Sequence, residues 1–386
     1  MRISDQAWEV VFVEDLDSVW VVRTADFFNT YFPGVFGEFC HPELFRWKLG
    51  RSNPAGEGVL ALAVSGVDVV GVTTATMKLV VANGQTLRAA EIGDSFTHPD
   101  FRRGGQAATM AVGTDDPDDY LNKSIFGRLV EEITKRLAER EIELVYTTPD
   151  DRSLARPGFV RRGQYVEVPR AGSRSWHRPC RALLEDRLPF RSGRTVQKMV
   201  DAVTWFVQPG RRIRPTVDSV ALTSDGPLTD FYEAIDRIWD CQELEDNFTL
   251  VQDSAYVAHR YANHPEQSFF GHLVTVLDHP VGFFVTRRLS RSHGYSTVCV
   301  AEWLLAPDQA SGLFASLLQH LIVNAEGVHT VSLWANDWAV SRQHLLRLGF
   351  LPLRKVRVLI RTNEFGRHLQ TSGHSWAMPI GWSDNV

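Results

Sequence analysis

Cysteine is scarce in this sequence. The four that occur, Cys40, Cys180, Cys241 and Cys299, lie far apart. No C-x-x-C and no Cys/His ligand spacing joins them, so the usual signatures of a zinc site or a disulfide framework are missing. Isolated reduced thiols in a cytoplasmic protein, with no metal, are the expected reading. Long apolar runs are missing too. No stretch approaches the ~18 apolar residues of a membrane-spanning helix. The opening MRISDQAWEVVFVEDLDSVW carries acids inside its apolar stretch, unlike a secretory signal. An excess of positive charge is also absent: the formal net charge of −5 argues against a dedicated nucleic-acid binder.

What is present is ordinary globular material, 44% hydrophobic and 23% charged over 386 residues. That length predicts two or three domains. Residues 7–13, 57–66, 67–82 and 88–97 read as strands, with a tight turn near Ser65–Val67. Residues 17–32 have helix-like spacing. Residues 123–140 place Ile125, Phe126, Leu129, Val130, Ile133 and Leu137 on one helical face, with charges opposite. A buried strand, ELVYTT at 143–148, follows, and YVEV near 165 reads as another. The second half repeats this order: strands at 281–287 and 295–305, a helix at 311–324, a strand at 330–336, a helix at 341–350 ending at Gly349, and a last strand at 355–362. Upstream, "LFRWKLGRSNP" (44–54) rhymes with "YVAHRYANHP" (256–265). Matching order plus this rhyme predicts an internal duplication. The fold class expected is α+β: two tandem domains, each a mixed, mostly antiparallel sheet flanked by helices.

Between the halves, residues 152–194 hold eleven arginines against three acids. A solvated basic linker or an anion-binding face both fit. Residues 196–207 follow with helical spacing of Val196, Met199, Val200, Val203 and Val207. The expected division is 1–170, a basic linker and helix at 171–214, and 215–386.

The stretch carrying chemistry is "EIGDSFTHPDFRRGGQAATMAV" (91–112). A strand breaks at Pro99 and runs into an arginine–glycine loop. Glycines let backbone N–H groups turn toward an oxyanion, and a following helix adds its positive N-terminus. "RRGGQA" fits R-x-x-G-x-A through Arg102, Gly105 and Ala107, although an ordinary turn fits the bare string as well. The expected helix does not follow at once. The acidic "GTDDPDDY" intervenes, and a convincing helix starts only near Lys123. Two registers are open: a short helix straight after the loop, or a functional join of Gly105 to Ser124 across an insertion at 106–122.

"THPDFRRGG" resembles the acyl-CoA-binding motif of the GNAT superfamily of N-acyltransferases. "LLRLGF" (345–350) and "TTPDDRSLARPGF" (147–159) are similar to a later motif of that superfamily. The resemblance covers about 1–168 and 215–362 and implies two tandem GNAT domains. It implies acyl transfer from an acyl-CoA co-substrate to a small-molecule primary amine. Its pyrophosphate would be held by backbone N–H groups of Arg103, Gly104 and Gly105, by the Arg102 side chain and by Ser124 at the helix start. Thr97 would lie along the pantetheine arm. Asp94 and Glu302 are the carboxylates expected to take the amine's proton, with His98 less favoured. Phe159 stands where many GNAT enzymes have a tyrosine acid, which leaves Tyr165 or solvent for that role.

The second half reads "APDQASGLF" (306–314) at the loop position, without arginine. CoA is therefore expected in the first half only, with the second shaping the acceptor site. "RWKL…NPAG" and the terminal Trp376, Gly381, Asp384 and Asn385 resemble bacterial sugar N-acyltransferases that act on nucleotide-linked amino sugars in surface polysaccharide pathways. That narrower resemblance implies a nucleotide sugar acceptor, no nucleic acid partner, and a homodimer as one possible assembly. The rival readings are a Fem-type aminoacyl transferase using aminoacyl-tRNA, and a non-catalytic CoA-binding protein.

Overall fold

The computed structural model describes residues 7–36, 39–102, 124–149, 159–160, 165–168, 173–180, 183, 215–226, 228–244, 247–290, 295–307, 313–314, 317–318, 320–321, 327–336, 342–361 and 375–377. The first half opens with β1 (Glu9–Phe12), α1 (Val19–Tyr31) and α2 (Pro42–Leu49). Then come β2 (Val59–Ser65), β3 (Asp68–Ala82) and β4 (Gln85–Thr97). These three strands form a meander set by its turns. Ser65 pairs with Asp68 across Gly66, whose φ is +64°. Ala82 pairs with Gln85 across Asn83–Gly84, where φ is +53° and +71°. Asn-Gly with both residues at positive φ is the tight hairpin turn that matches strand twist.

Helix α3 (Ile125–Glu139) covers one face of this meander. Its buried stripe is Ile125, Leu129, Val130, Ile133 and Leu137. It comes so close that a Cβ on Gly71 of β3 would lie 2.4 Å from Ile125 Cγ2. On the opposite face, α1 and α2 bury Phe28, Phe45 and Leu49 against Leu60, Leu62 and Val72. β5 (Leu144–Thr147) then pairs parallel to β4, and β6 (Tyr165–Glu167) follows.

The second half repeats the pattern. It contains β8 (Thr216–Leu222), α4 (Thr229–Asp240), β9 (Asn247–Leu250) and α5 (Ser254–Val257), the last continued by a π-helical turn at Ala258–Ala262. Then come β10 (Phe269–Val276), β11 (His279–Ser290), β12 (Ser296–Leu305), β13 (Thr330–Asn336), α6 (Arg342–Arg347) and β14 (Leu351–Val356).

The sheets differ from the expected division in one respect: each takes a strand from the other half. The first runs β1-β2-β3-β4-β5-β15-β6, where β15 (Leu359–Arg361) comes from the far end of the chain. The second runs β8-β10-β11-β12-β13-β7-β14, where β7 (Ser173–Pro179) comes from the first half. The two orders match position for position, so the exchanged strands occupy equivalent places. Two expectations are corrected here. Residues 173–179 are a sheet strand rather than linker. Residues 355–362 are not one strand: β14 ends at Val356 in the second sheet, and β15 begins at Leu359 in the first. The crossing is clamped by Arg357, which donates to both carboxylate oxygens of Glu167 at 2.6 and 2.8 Å. A further junction comes from β9, which pairs with the end of β3 and carries β16 (Ser375–Ala377). The 196–207 helix and the 106–122 insertion lie outside the described residues.

Candidate functional site

The strand β4 is paired along its whole length with β3, apart from a bulge, but only briefly with β5. The β4–β5 rungs are Ala89–Leu144, Ala90–Val145 and Glu91–Tyr146. Beyond Glu91, β4 runs on to Thr97 without β5. The two parallel strands therefore part, and among the described residues no strand pairs with Ile92–Thr97 on that side, an open edge. The bulge sits in the same stretch: pairing shifts between Val72 and Thr74, and Asp94 adopts φ +45°. A bulge bends its strand and strengthens the local twist, which turns the end of β4 away from β5.

The start of α3 stands beside that open end. Gly71, against which Ile125 packs, is the cross-strand partner of Thr97. Ser124 caps the helix by accepting from the Gly127 N–H at 3.0 Å. The helix begins at Ile125, which both registers allow; residues 103–123, where they differ, lie outside the described residues. Arg102 is exposed, donates from Nε to the Thr97 carbonyl at 2.9 Å, and lies over the Phe32 ring at 5.1 Å. Thr97, Arg102 and Ser124 are therefore brought to one end of the first half. Arg103, Gly104 and Gly105 lie outside the described residues. An open strand edge, a helix N-terminus and an exposed guanidinium fit an extended amide-bearing arm ending in phosphates.

The face of the sheet away from α3 carries charge. Lys48 of α2 donates to Asp94 Oδ2 at 2.5 Å, and Thr74 donates to the same oxygen at 2.8 Å. Both side chains are buried, so Asp94 is committed to Lys48. One rung back, Glu91 is 3% exposed. It accepts from the Thr148 hydroxyl at 2.6 Å, just past the end of β5, and faces Lys78 at 3.9 Å. Glu91 is the carboxylate at the point where the strands part. Sequence reasoning passes over it as a strand residue, because nothing local marks where pairing to β5 ends. His98 accepts from the Asp100 N–H, packs on Tyr31, and is held below the usual histidine range mainly by burial. Tyr165 is fully buried, its hydroxyl pushed up to about 12, and Phe159 packs against it.

The second half repeats the parting of strands. β12 pairs with β13 from Thr297 to Val300 only, then continues to Leu305, with a bulge at Ala301. Glu302 lies just beyond, with no exposure at all. Its Oε2 accepts from Tyr256 at 2.8 Å and Tyr261 at 3.0 Å, and its Oε1 accepts from Gln252 at 2.8 Å. Burial raises its carboxyl to about 7 against the pull of those donors and of Arg260. Here the open strand already has internal partners: Gln252 donates to the Trp303 carbonyl and Gln242 to that of Leu305. Asp94 and Glu302 occupy comparable stretches of their halves but are not in contact; each has its own partners.

Among the described residues, no cluster of His, Cys, Asp or Glu could hold a metal ion. Nor, among them, is any helix long and apolar enough to cross a membrane.

As a sequence, the chain matches no family model and no curated protein. Its structure has clear counterparts. A Saccharomyces cerevisiae N-myristoyltransferase with bound myristoyl-CoA and inhibitors superposes at TM-score 0.57 and 13% identity, over 97% of this chain and 86% of that one. A tandem GNAT protein from the clavulanic acid biosynthesis pathway gives 0.54 and 12%, over 92% and 98%. A probable N-acyltransferase from Enterococcus faecalis V583 gives 0.55 and 12%, over 92% and 72%. The chain has a tandem GNAT-like fold. In GNAT terms, the parted strands β4 and β5 and the start of α3 lie in the first domain, and Glu302 lies in the second.

Proposed function

We propose that the protein is an acyl-CoA-dependent N-acyltransferase, with the donor held by the first domain. The observation that carries this is the coincidence of three features at one end of that domain: the open edge of β4, the start of α3, and Arg102. In the second domain the open edge is already bonded by Gln242 and Gln252, which supports a single donor site.

The chemistry requires a neutral amine beside the thioester carbon. As nitrogen bonds to that carbon, one amine proton must leave. The C–S bond then breaks and the thiolate departs, to be protonated by solvent. We assign the amine proton to Glu91, because it marks the point where the open edge meets the inner face of the sheet. Asp94 supports that face by holding Lys48. Glu302 belongs to the acceptor side, where its partner Tyr256 lines the junction between domains. For the acceptor we propose a primary amine of the nucleotide-linked amino sugar class, following the sequence resemblance at 46–56 and 376–385.

The test is calorimetric titration of CoA into the full chain and into Gly105→Asp, followed by thiol release from acetyl-CoA with amine panels. CoA binding lost in a folded Gly105→Asp protein is the expected result; unchanged affinity overturns the donor site. With Glu91→Gln, turnover should fall about 10²- to 10⁴-fold while CoA affinity holds.

A further inference from the structure

Between the domains lies a pocket walled from both halves, in part by the two segments that rhyme in sequence. From the first come Trp47 and Lys48 of α2, the 53–55 loop, and Thr76 and Lys78 of β3. From the second come Asp253, Tyr256, His259 and Arg260. The walls are joined by Trp47, whose indole N–H donates to the His259 carbonyl at 2.8 Å and whose ring stacks on that imidazole at 5.3 Å. The π-helical turn at Ala258–Ala262 lets the second domain's wall serve two ends. It presents Arg260 to the pocket while Tyr261 reaches Glu302. Single π-turns of this kind are frequent at functional sites.

The lining includes three cations, of which Lys48 is bonded to Asp94 and Lys78 faces Glu91. Lys48, Lys78 and Arg260 are 3%, 5% and 5% exposed. The one carboxylate lining the pocket, Asp253, is already engaged as the cap of α5, accepting from the Tyr256 N–H at 2.8 Å. The carboxylates that face the lysines, Asp94 and Glu91, are not themselves among the lining residues. The lining also holds an unspent donor. The Thr76 side chain is 3% exposed and its Oγ1 has no hydrogen-bond partner. A buried hydroxyl without a partner is costly, and such groups in folded proteins call for a ligand or a water. The pocket offers about 30 Å³, room for about two water-sized atoms, the size of two oxygens of one acidic group. Exposed Pro54 stands at its rim.

We propose that this junction pocket is an anion subsite that seats an acidic group of the amine acceptor, a carboxylate or a terminal phosphate, among Lys48, Lys78 and Arg260, with the Thr76 hydroxyl donating to it. The words "of the amine acceptor" rest on the acyl-transfer reading; the anion site does not. Because Thr76 is the cross-strand partner of Glu91, an acceptor anchored here has its amine within reach of the point where β4 and β5 part.

The experiment titrates sodium acetate and inorganic phosphate separately into the full chain by calorimetry, at ionic strength held constant with chloride. CoA affinity is measured on the same samples. Thr76→Val and Lys78→Met are the variants. The expected result is binding of at least one anion, weakened about tenfold in Thr76→Val through loss of one charge-assisted hydrogen bond, with CoA affinity unchanged. Acetate alone would identify the acidic group as a carboxylate, and phosphate alone as a phosphate. Thr76→Val keeps the shape and removes the orphaned hydroxyl, so it should melt no lower than the parent even if Lys78→Met fails to fold. Anion binding that survives both variants overturns the proposal, as does a wild-type chain that binds CoA but neither anion. Anion binding lost in Thr76→Val in a chain that never binds CoA would uphold the subsite and remove the acyl-transfer reading.

Discussion

Glu302→Gln should stabilise the protein at neutral and higher pH, by an amount that grows with pH. The carboxyl is fully buried and titrates at about 7 against an ordinary 4.5. Burial raises the folded value above the unfolded one, so the acid form is favoured on folding. Below about pH 4.5 both states are protonated and nothing is lost. From there to about 7 the unfolded chain is ionised while the folded chain is not, and each pH step of one costs about 1.4 kcal/mol. The cost is complete above the folded value, at about 3 kcal/mol. An amide has the same shape and no such cost. Its oxygen can accept from Tyr256 and Tyr261, and Gln252 can turn its own amide to receive the new N–H, giving up the 3.3 Å bond to the Trp303 carbonyl and the long 3.4 Å bond from the Trp303 N–H. The assay is urea unfolding of both proteins at pH 5, 6, 7 and 8, followed by tryptophan fluorescence. The difference between them should be small at pH 5, rise through pH 6 and 7, and level off by pH 8. An amide variant less stable than the parent at pH 8 by more than about 1 kcal/mol would refute the reasoning, since Arg260 and the tyrosines would then be stabilising a carboxylate.

Residues 1–170 and 215–386 produced separately should each fail to melt cooperatively, because the first lacks β15 and the second lacks β7; a sharp thermal transition in either fragment by circular dichroism would contradict this. Gly71→Val should cost about 1–3 kcal/mol in urea and weaken CoA binding, since its side chain would drive the start of α3 off the sheet. Lys48→Met should cost about 3–5 kcal/mol by leaving Asp94 buried and unpaired. Adding Asp94→Asn should restore most of that, because asparagine tolerates the +45° φ and carries no charge.

The parts of this fold that local chemistry dictates are legible in the order of the amino acids. The stripe of Ile125, Leu129, Ile133 and Leu137 marks helix α3, and the turns near Ser65 and at Gly349 mark element boundaries. The exchanged strands are not legible, because which sheet a strand joins is settled by distant pairing. Ser173–Pro179 is dense in polar residues and reads as linker, yet Trp176 and Arg178 are buried between β13 and β14. Asp94 is visible as an acid on a strand end. What local sequence does not show is Lys48, 46 residues earlier, already holding it. Glu91 lies in the same stretch, and only the place where β5 leaves β4 distinguishes it from its neighbours. The likeness of 44–54 to 256–265 is legible as a rhyme, but not the contact between the two segments through Trp47 and His259.

The strand exchange also gives a task to a domain whose loop at 306–314 has no arginine. β5 is joined to β4 by three rungs, and its other neighbour is β15, contributed by the second half. Among the described residues, β6 reaches the sheet through β15 alone. Without that strand, β5 would be a four-residue edge held by Ala89–Glu91, and the gap between β4 and β5 would have no fixed width. The bidentate Arg357–Glu167 contact fixes where β15 enters. By this route the second domain sets the shape of the proposed donor cleft in the first. Through Tyr256, His259 and Arg260 it also supplies one wall of the junction pocket on the other face of the same sheet. On the proposed function, both reactants would meet surfaces that neither domain makes by itself, which is a physical reason for two domains to be joined by strands rather than by a flexible linker.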